Sequence, residues 1–207
     1  MKLSEFASRD LASRAAAVWL EARLRQGLAR AAPAGLIVSG GSTPGPCLEM
    51  LAQADLDWSQ VEVSLTDERQ VPVDDDASNE RMVRKCLLQG DAGAAVFRKV
   101  GELPADSVVC SLVGMGDDGH FASIFPDNSS LAQLLDETAP PAVSEVTTGA
   151  SPYLRSTINL AYLLQGQAVL LLIFGADKKK IIAEPAGLPI AALLQQQKVT
   201  VDVYWAP

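Results

Sequence analysis

The run AVLLLIFG, residues 168–175, decides the fold class of this chain, because it is apolar at nearly every position. A strand with one solvent-exposed face alternates apolar and polar residues, whereas a strand covered on both faces is almost continuously apolar. Similar runs recur along the chain, so we expect a set of strands buried on both faces. They are GLIVS (35–39), VEVSLT (61–66), SVVCSLVG (107–114) and VTVDVYW (199–205).

Helical patterns separate these strands. Alternation of strands and helices predicts an α/β fold, with a mainly parallel sheet flanked by helices on both faces in a Rossmann-like single domain spanning residues 1–207. A long amphipathic helix is expected first, from about Ser4 to Ala31. The segment 155–160 is a possible further strand, and 127–151 is predicted to be a short helix plus loop. The other predicted helices are 44–53, 78–89, 176–185 and 188–197.

Composition restricts the classes of partner. The net charge of −8 disfavours nucleic acid and anionic membranes as partners, although a small anionic substrate stays compatible with it. Three scattered cysteines and a single histidine offer no zinc motif, so we expect reduced, buried thiols. The N-terminus has no apolar signal segment, and no run reaches membrane-spanning length. These features predict a cytoplasmic protein without a membrane association.

The turn SGGSTPG (39–45) follows the first buried strand. In open α/β sheets, ligands bind beyond the carboxyl ends of the strands, so this turn is a candidate site. Gly40 and Gly41 allow close backbone approach, while Ser42 and Thr43 add hydroxyls; Thr43 is also expected to cap the next helix. The alternative is an ordinary turn between a strand and a helix, because the spacing matches neither nucleotide-binding glycine motif.

The segment TDERQVP (66–72) follows the next strand. Asp67, Glu68 and Arg69 are candidates for a base, a hydroxyl acceptor and an anion-binding guanidinium. A solvated polar loop is the alternative. Ser78 or Asn79 is expected to cap the following helix.

The stretch GMGDDGHFASIFP (114–126) holds the single histidine, His120. A carboxylate two residues away, Asp118, is placed to orient the imidazole and to support its protonated form. A lone histidine is more often structural, but three glycines and two acids at the end of a strand favour a catalytic base here.

Cations follow the run at 168–175. Lysines 178, 179 and 180 begin a helix, where positive charge opposes the macrodipole unless an anion is bound. At least one of them is expected to be merely solvated. Arg155, in SPYLRST, is a further cation that precedes a possible strand.

Taken together, SGGSTP, TDERQVP with SN further on, GMGDDGHFASIFP, SPYLRST and GADK resemble the 6-phosphogluconolactonase family, in the order of the family's motifs. The resemblance implies hydrolysis of 6-phospho-D-glucono-1,5-lactone to 6-phosphogluconate, without a metal or an organic cofactor. It implies His120 as the group that activates water, with Asp118 supporting it. A small phosphosugar lactone is the implied partner, and the chain is expected to be a monomer or a weak homo-oligomer.

Substrate contacts follow from the same resemblance. Backbone amides of the glycine turn would lie near the sugar or its developing negative charge. Asp67 is assigned to sugar hydroxyls and Lys179 is left open as a rival of Lys178. The implied substrate-binding residues are Gly40, Gly41, Ser42, Thr43, Asp67, Arg69, Arg155 and Lys178.

Two rival functions have distinguishing residues. The related glucosamine-6-phosphate deaminases carry a glutamate shortly after the histidine, where this chain has Phe125, which moves no proton. A binding protein without catalysis would have no need of His120 and Asp118, and this chain has both.

Overall fold

The computed structural model describes residues 1–149 and 151–207. Within these residues, the strands are β1 (Lys2–Glu5), β2 (Ala34–Val38), β3 (Val61–Leu65), β4 (Asp67–Arg69), β5 (Val96–Phe97), β6 (Val108–Val113), β7 (Val143–Thr148), β8 (Ser151–Ile158), β9 (Ala168–Phe174) and β10 (Thr200–Ala206). The α-helices are α1 (Arg9–Arg30), α2 (Gly45–Leu51), α3 (Asn79–Cys86), α4 (Leu131–Leu134), α5 (Leu160–Leu163), α6 (Ala176–Ala183) and α7 (Pro189–Gln195).

The main sheet of the described chain has seven strands in the order β1-β10-β9-β6-β2-β3-β5, and neighbouring strands are parallel throughout. Its central strands are buried at every position, as the continuous apolar runs predict. Successive side chains point to opposite faces: Leu36 and Val38 pack with α1, α2 and α3, while Ile37 packs with α5, α6 and α7. The predicted fold class, a parallel sheet with helices on both faces, is confirmed.

The expected start of the first helix is wrong. The helix begins at Arg9, where the Ser8 side chain accepts a hydrogen bond from the Leu11 amide, and residues Lys2–Glu5 form an edge strand paired with β10. That strand is short and mostly exposed, so it carries no apolar periodicity by which the sequence could reveal it. At the third helix the prediction holds, because the Ser78 side chain caps the amide of Arg81.

A second sheet of three antiparallel strands, β4-β8-β7, lies beside the first. The possible strand at 155–160 is real over its first part, as the end of β8. The prediction of a short helix plus loop for 127–151 is incomplete: α4 is the short helix, but β7 occupies 143–148, and Ala150 lies outside the described residues. Alternating exposed and buried residues in β7 are too few for a periodic signal.

The order in which strands are added to the main sheet reverses at β2. The chain passes from β2 to β3 on one side and later returns to β6 on the other. Loops that follow β2 and β6 therefore diverge and leave a crevice at the carboxyl ends of the strands, which is the usual ligand position in open α/β sheets.

None of the described helices is long and apolar enough to cross a membrane. All three cysteines, Cys47, Cys86 and Cys110, are free and buried, as expected from the sequence.

Candidate active site

A cavity of about 240 Å³ lies at this crevice. Segments that follow β2, β3, β6 and β9 contribute to its wall, together with a residue of β8. Nine of the ten predicted site residues line it, and the tenth, Asp118, contacts His120 from outside. The lining residues are Ser39, Gly40, Gly41, Ser42, Thr43, Asp67, Arg69, Asn79, Gly114, Met115, Gly116, His120, Phe121, Ala122, Arg155 and Lys178.

The glycine turn forms one wall of the cavity. The amides of Gly40, Gly41 and Ser42 donate to no acceptor in the part of the chain that the structure describes, so they are free to meet a ligand. Gly41 has a φ of +93°, a conformation that L side chains rarely adopt. The predicted helix cap at Thr43 is wrong: α2 starts after Pro44, whose helical φ and ψ extend the turn, and no side chain caps it.

His120 and Asp118 form a short hydrogen bond of 2.5 Å between Nδ1 and Oδ1. A carboxylate only accepts, so Nδ1 is the donor in this bond, and in the neutral imidazole the lone pair then lies on Nε2. Nε2 has no partner among the described residues. The same Asp118 oxygen accepts the His120 amide at 3.1 Å, which fixes the backbone as well as the ring. A carboxylate-bound imidazole that lines a cavity is chemically suited to act as a general base.

Glycines hold the His120 loop in a tight turn. The Gly116 amide donates to the His120 carbonyl at 2.9 Å, and the Gly119 amide donates to the Gly116 carbonyl at 3.1 Å. A Cβ on Gly116 would lie 2.2 Å from the imidazole ring, so the loop packs directly against the base. Beyond the turn, Ala122 has a φ of +50°, an unfavourable conformation for a residue other than glycine. The loop is therefore held in one conformation, although the backbone of Ala122 is strained in it.

Arg69 and Arg155 are cross-strand partners in β4 and β8, and both line the cavity. Burial lowers the pKa of Arg155, and the neighbouring charge of Arg69 lowers it further, whereas Asp67 opposes the shift. The Nε atoms of both guanidinium groups are buried without a hydrogen-bond partner in the described structure. Two neighbouring cations with unused donors are chemically suited to an anion.

Asp67 is 4% exposed, and both of its carboxylate oxygens are occupied. Oδ1 accepts from the Thr66 hydroxyl at 2.9 Å, and Oδ2 accepts from the Ser123 hydroxyl at 2.5 Å while lying 3.6 Å from Arg155 Nη1. It reaches the cavity wall, but each of its oxygens already accepts one hydrogen bond from a protein hydroxyl. The geometry therefore favours support of Arg155 over the predicted contact with sugar hydroxyls.

The three lysines of α6 separate in space. Lys178 lines the cavity and lies 3.7 Å from the exposed Asp117. Lys179 instead pairs with Glu5 at 2.7 Å and covers the ring of Trp205, while Lys180 pairs with Asp177. Of the three, Lys178 is therefore the lysine that lines the cavity, and helix geometry explains why its neighbours point elsewhere.

Several residues at the site were not candidates in the sequence. Asn79 lines the cavity and donates to the Asp67 carbonyl at 2.8 Å, and a Cβ on Gly40 would collide with it at 1.9 Å. In the sequence, Asn79 was named only as a possible helix cap and as part of the SN pair in the family resemblance. Ser123, whose hydroxyl donates to Asp67, lies inside the stretch 114–126 but was not assigned a role from the sequence.

Glu68 was a candidate in the sequence, but it does not line the cavity. Its carboxylate instead accepts hydrogen bonds from the amides of Asn79 and Glu80 at the start of α3.

Metal-ligating groups do not cluster in the described residues, where no three histidine, cysteine or acidic side chains come together in a manner suited to an ion.

Known proteins resemble this chain over all or most of its length. A family model described as glucosamine-6-phosphate isomerases/6-phosphogluconolactonase matches residues 7–108 and 91–205. A 6-phosphogluconolactonase of Caulobacter vibrioides is 37% identical, with 100% of this chain and 97% of the relative covered. One of Rhizobium meliloti is 35% identical, with 90% of each covered. The crystal structure of a 6-phosphogluconolactonase from Shewanella baltica OS155 superposes with a TM-score of 0.91 at 30% identity, covering 100% of this chain and 98% of that one.

Proposed function

The chain belongs to the glucosamine-6-phosphate isomerase/6-phosphogluconolactonase family, and from that premise we propose that it hydrolyses 6-phospho-D-glucono-1,5-lactone to 6-phospho-D-gluconate. This is the lactone-opening step of the oxidative pentose phosphate pathway. The observation that carries the assignment is the placement of the Asp118-oriented His120 and three cations around one cavity. A lactone carbonyl and a phosphate on one substrate require these two kinds of group together.

His120 acts as the general base. Its Nε2 takes a proton from a water molecule, and the hydroxide oxygen forms a bond to C1 of the lactone, which gives a tetrahedral oxyanion. Collapse of this intermediate breaks the bond between C1 and the ring oxygen. The ring oxygen then takes the proton from the imidazolium and becomes the C5 hydroxyl, and the new carboxyl group at C1 releases its proton to solvent to give the carboxylate product. Asp118 stabilises the imidazolium between the two transfers.

The glycine turn stabilises the developing charge. The amides of Gly40, Gly41 and Ser42 are unpaired donors on the cavity wall, while the Ser42 and Thr43 hydroxyls add polar contacts. Donors held in place before the reaction stabilise an oxyanion without reorganisation.

The phosphate binds on the cationic side of the cavity. Arg69 and Arg155 supply guanidinium groups from adjacent strands, and Lys178 supplies an ammonium group from α6. Asp67 acts here as a positioning residue for Arg155. Cations that bind a distant phosphate anchor the lactone carbonyl against the base.

The deaminase reaction is disfavoured by a specific contact. Phe125 packs against the His120 ring, with ring centroids 4.2 Å apart, where the resemblance expects a deaminase to carry a proton-moving glutamate. We place the reaction in the cytoplasm, where free thiols such as those of this chain are maintained. The functional unit is a monomer or a weak homo-oligomer that binds a small phosphosugar lactone.

A coupled assay tests the proposal. Freshly generated 6-phosphogluconolactone is supplied, and product is measured with 6-phosphogluconate dehydrogenase after subtraction of spontaneous hydrolysis. A wild-type rate above the background is expected, together with no release of ammonia from glucosamine 6-phosphate. A wild-type rate equal to spontaneous hydrolysis overturns the lactonase assignment, and ammonia release would replace it with the deaminase.

A further inference from the structure

Phe125 lies between two groups that the proposed reaction uses at opposite ends of its substrate. Its side chain is buried, with 4% of the residue exposed. The ring centroid is 4.2 Å from that of His120, at an interplanar angle of 38°, and 5.4 Å from Cζ of Arg155. One aromatic ring therefore contacts both the base and a phosphate-side cation.

We propose that Phe125 is a positioning residue that fixes the placement of His120 relative to Arg155, and thereby the span between the lactone carbonyl and the phosphate of a bound substrate. The inference rests on the proposed function, because it assigns the two contacted groups to the two ends of one phosphosugar lactone.

His120 needs a second contact besides its carboxylate partner. The hydrogen bond from Nδ1 to Asp118 holds one edge of the imidazole, but rotation of the ring plane about that bond would still swing Nε2. Tilted packing against Phe125 restricts this rotation, since aromatic rings prefer defined offset or tilted arrangements. Phe125 thus sets the direction of the lone pair that meets water.

Arg155 also depends on the ring. Its side chain is 10% exposed and paired with Asp67 at 3.6 Å, while its Nη2 donates to the Ser151 hydroxyl at 3.0 Å. Its Nε has no hydrogen-bond partner in the described structure. The face of Phe125 offers an attractive surface to a cation that has lost much of its water. Removing the ring would free the guanidinium to shift towards the cavity or away from it.

The span matters because the substrate is short and stiff. A hexose lactone holds its C1 carbonyl and its C6 phosphate at a limited range of separations. A displacement of Arg155 would therefore move the carbonyl away from the base, and a displacement of His120 would move the base away from the carbonyl. Small misplacements of reacting groups are costly in rate. Because the ring contacts both groups, its removal should weaken binding and turnover together.

The principal test replaces Phe125 by Leu, with Ile124→Val as the matched control. Both changes remove buried apolar volume from the same loop, but Ile124 is fully buried in the apolar core with Phe121 and Ile158. We expect Phe125→Leu to raise KM and to lower kcat, reducing kcat/KM by roughly 10-fold to 100-fold. Ile124→Val should leave both constants close to wild type at a similar loss of Tm.

A double-mutant cycle with Arg155→Lys tests the coupling directly. If Phe125 acts on Arg155, the effect of Phe125→Leu on KM is smaller in the Arg155→Lys background than in wild type, because contacting residues are not additive. Additive effects on KM contradict the proposal.

The single histidine supplies a readout that does not depend on turnover. In the NMR spectrum of the ligand-free protein, the imidazole ring-proton signals come from His120 alone. The ring current of Phe125 shifts the resonance frequencies of these protons. Phe125→Leu should move these signals, whereas Ile124→Val should not. Unmoved signals, or kinetic constants equal to those of Ile124→Val, overturn the positioning role. If wild type itself lacks lactonase activity while the signals move as expected, it is the proposed function that fails, and the packing of Phe125 on the base still stands.

Discussion

Arg69 and Arg155 lie directly opposite each other on the antiparallel pair β4 and β8, and both line the same cavity. Like charges at directly opposed positions destabilise a sheet pair. The fold tolerates this repulsion at a position where a bound anion would relieve it. Asp67, at 3.6 Å from Arg155 Nη1, offsets only one of the two charges.

Inorganic phosphate should therefore stabilise the folded chain against heat. A ligand that binds only the folded state adds about 2.7 kcal/mol at 100 times its Kd. We expect the rise in Tm with phosphate to shrink in Arg69→Gln and in Arg155→Gln, measured by differential scanning fluorimetry. Arg14→Gln removes the same charge from an exposed position on α1 and should keep the full rise. If phosphate raised the Tm of wild type and of all three variants equally, it would bind at a site other than the two arginines.

Lys178→Ala and Lys179→Ala form a matched pair. The first removes an ammonium group from the cavity wall, and the second removes one that pairs with Glu5 and Trp205 away from it. Lys178→Ala should raise KM by about 10-fold, the loss of roughly one charge-assisted hydrogen bond, with a small effect on kcat. Lys179→Ala should leave KM unchanged. An elevated KM in Lys179→Ala alone would reverse the assignment.

His120→Ala should lose about 100-fold to 10,000-fold in kcat, the usual contribution of a general base. Asp118→Asn should lose less, because it keeps the base but removes the carboxylate that fixes its tautomer and stabilises its cation. The coupled lactonase assay measures both. If His120→Ala had the kcat of wild type, His120 would not be the general base. If kcat fell further in Asp118→Asn than in His120→Ala, the carboxylate would contribute more to the reaction than the imidazole.

Gly116→Ala tests the packing of the loop on the base. The added Cβ would lie 2.2 Å from the His120 ring and 2.8 Å from Asp118 Oδ1, so one of them has to move. We expect kcat to fall by at least about 10-fold. Gly93→Ala, whose Cβ would meet no atom nearer than 3.7 Å, is the control and should keep its rate. Unchanged kcat in Gly116→Ala would mean that the loop yields without displacing the base.

Burial raises the pKa of the Cys47 and Cys110 thiols from 9.0 to about 12. The folded chain therefore holds these protons more tightly than the unfolded chain, so the resulting stability is present below pH 9.0 and is lost as the pH rises towards 12. At pH 8 we expect both thiols to resist iodoacetamide until the chain unfolds, as mass spectrometry of labelled peptides would record. Labelling of either thiol in the native protein would contradict their burial.

Much of the site could be predicted because its residues are close in sequence or follow a strand. Asp118 and His120 are two residues apart, so a turn alone brings them together. Gly40 and Arg69 follow continuously apolar strands, and the carboxyl ends of parallel strands share one edge of the sheet. The strands β1 and β7 escaped prediction, since short exposed strands depend on partners and not on an apolar pattern of their own.

The sequence by itself determined the fold class and the loops that carry the chemistry, because continuous apolar runs have to be covered on both faces. Only the tertiary structure decided how the side chains divide their tasks. The pairing of β8 brings Arg155 against Asp67 and Phe125. The packing of α6 directs Lys178 towards the cavity and Lys179 away from it. These contacts join residues that are distant in sequence, and their geometry follows from packing, which no local pattern encodes.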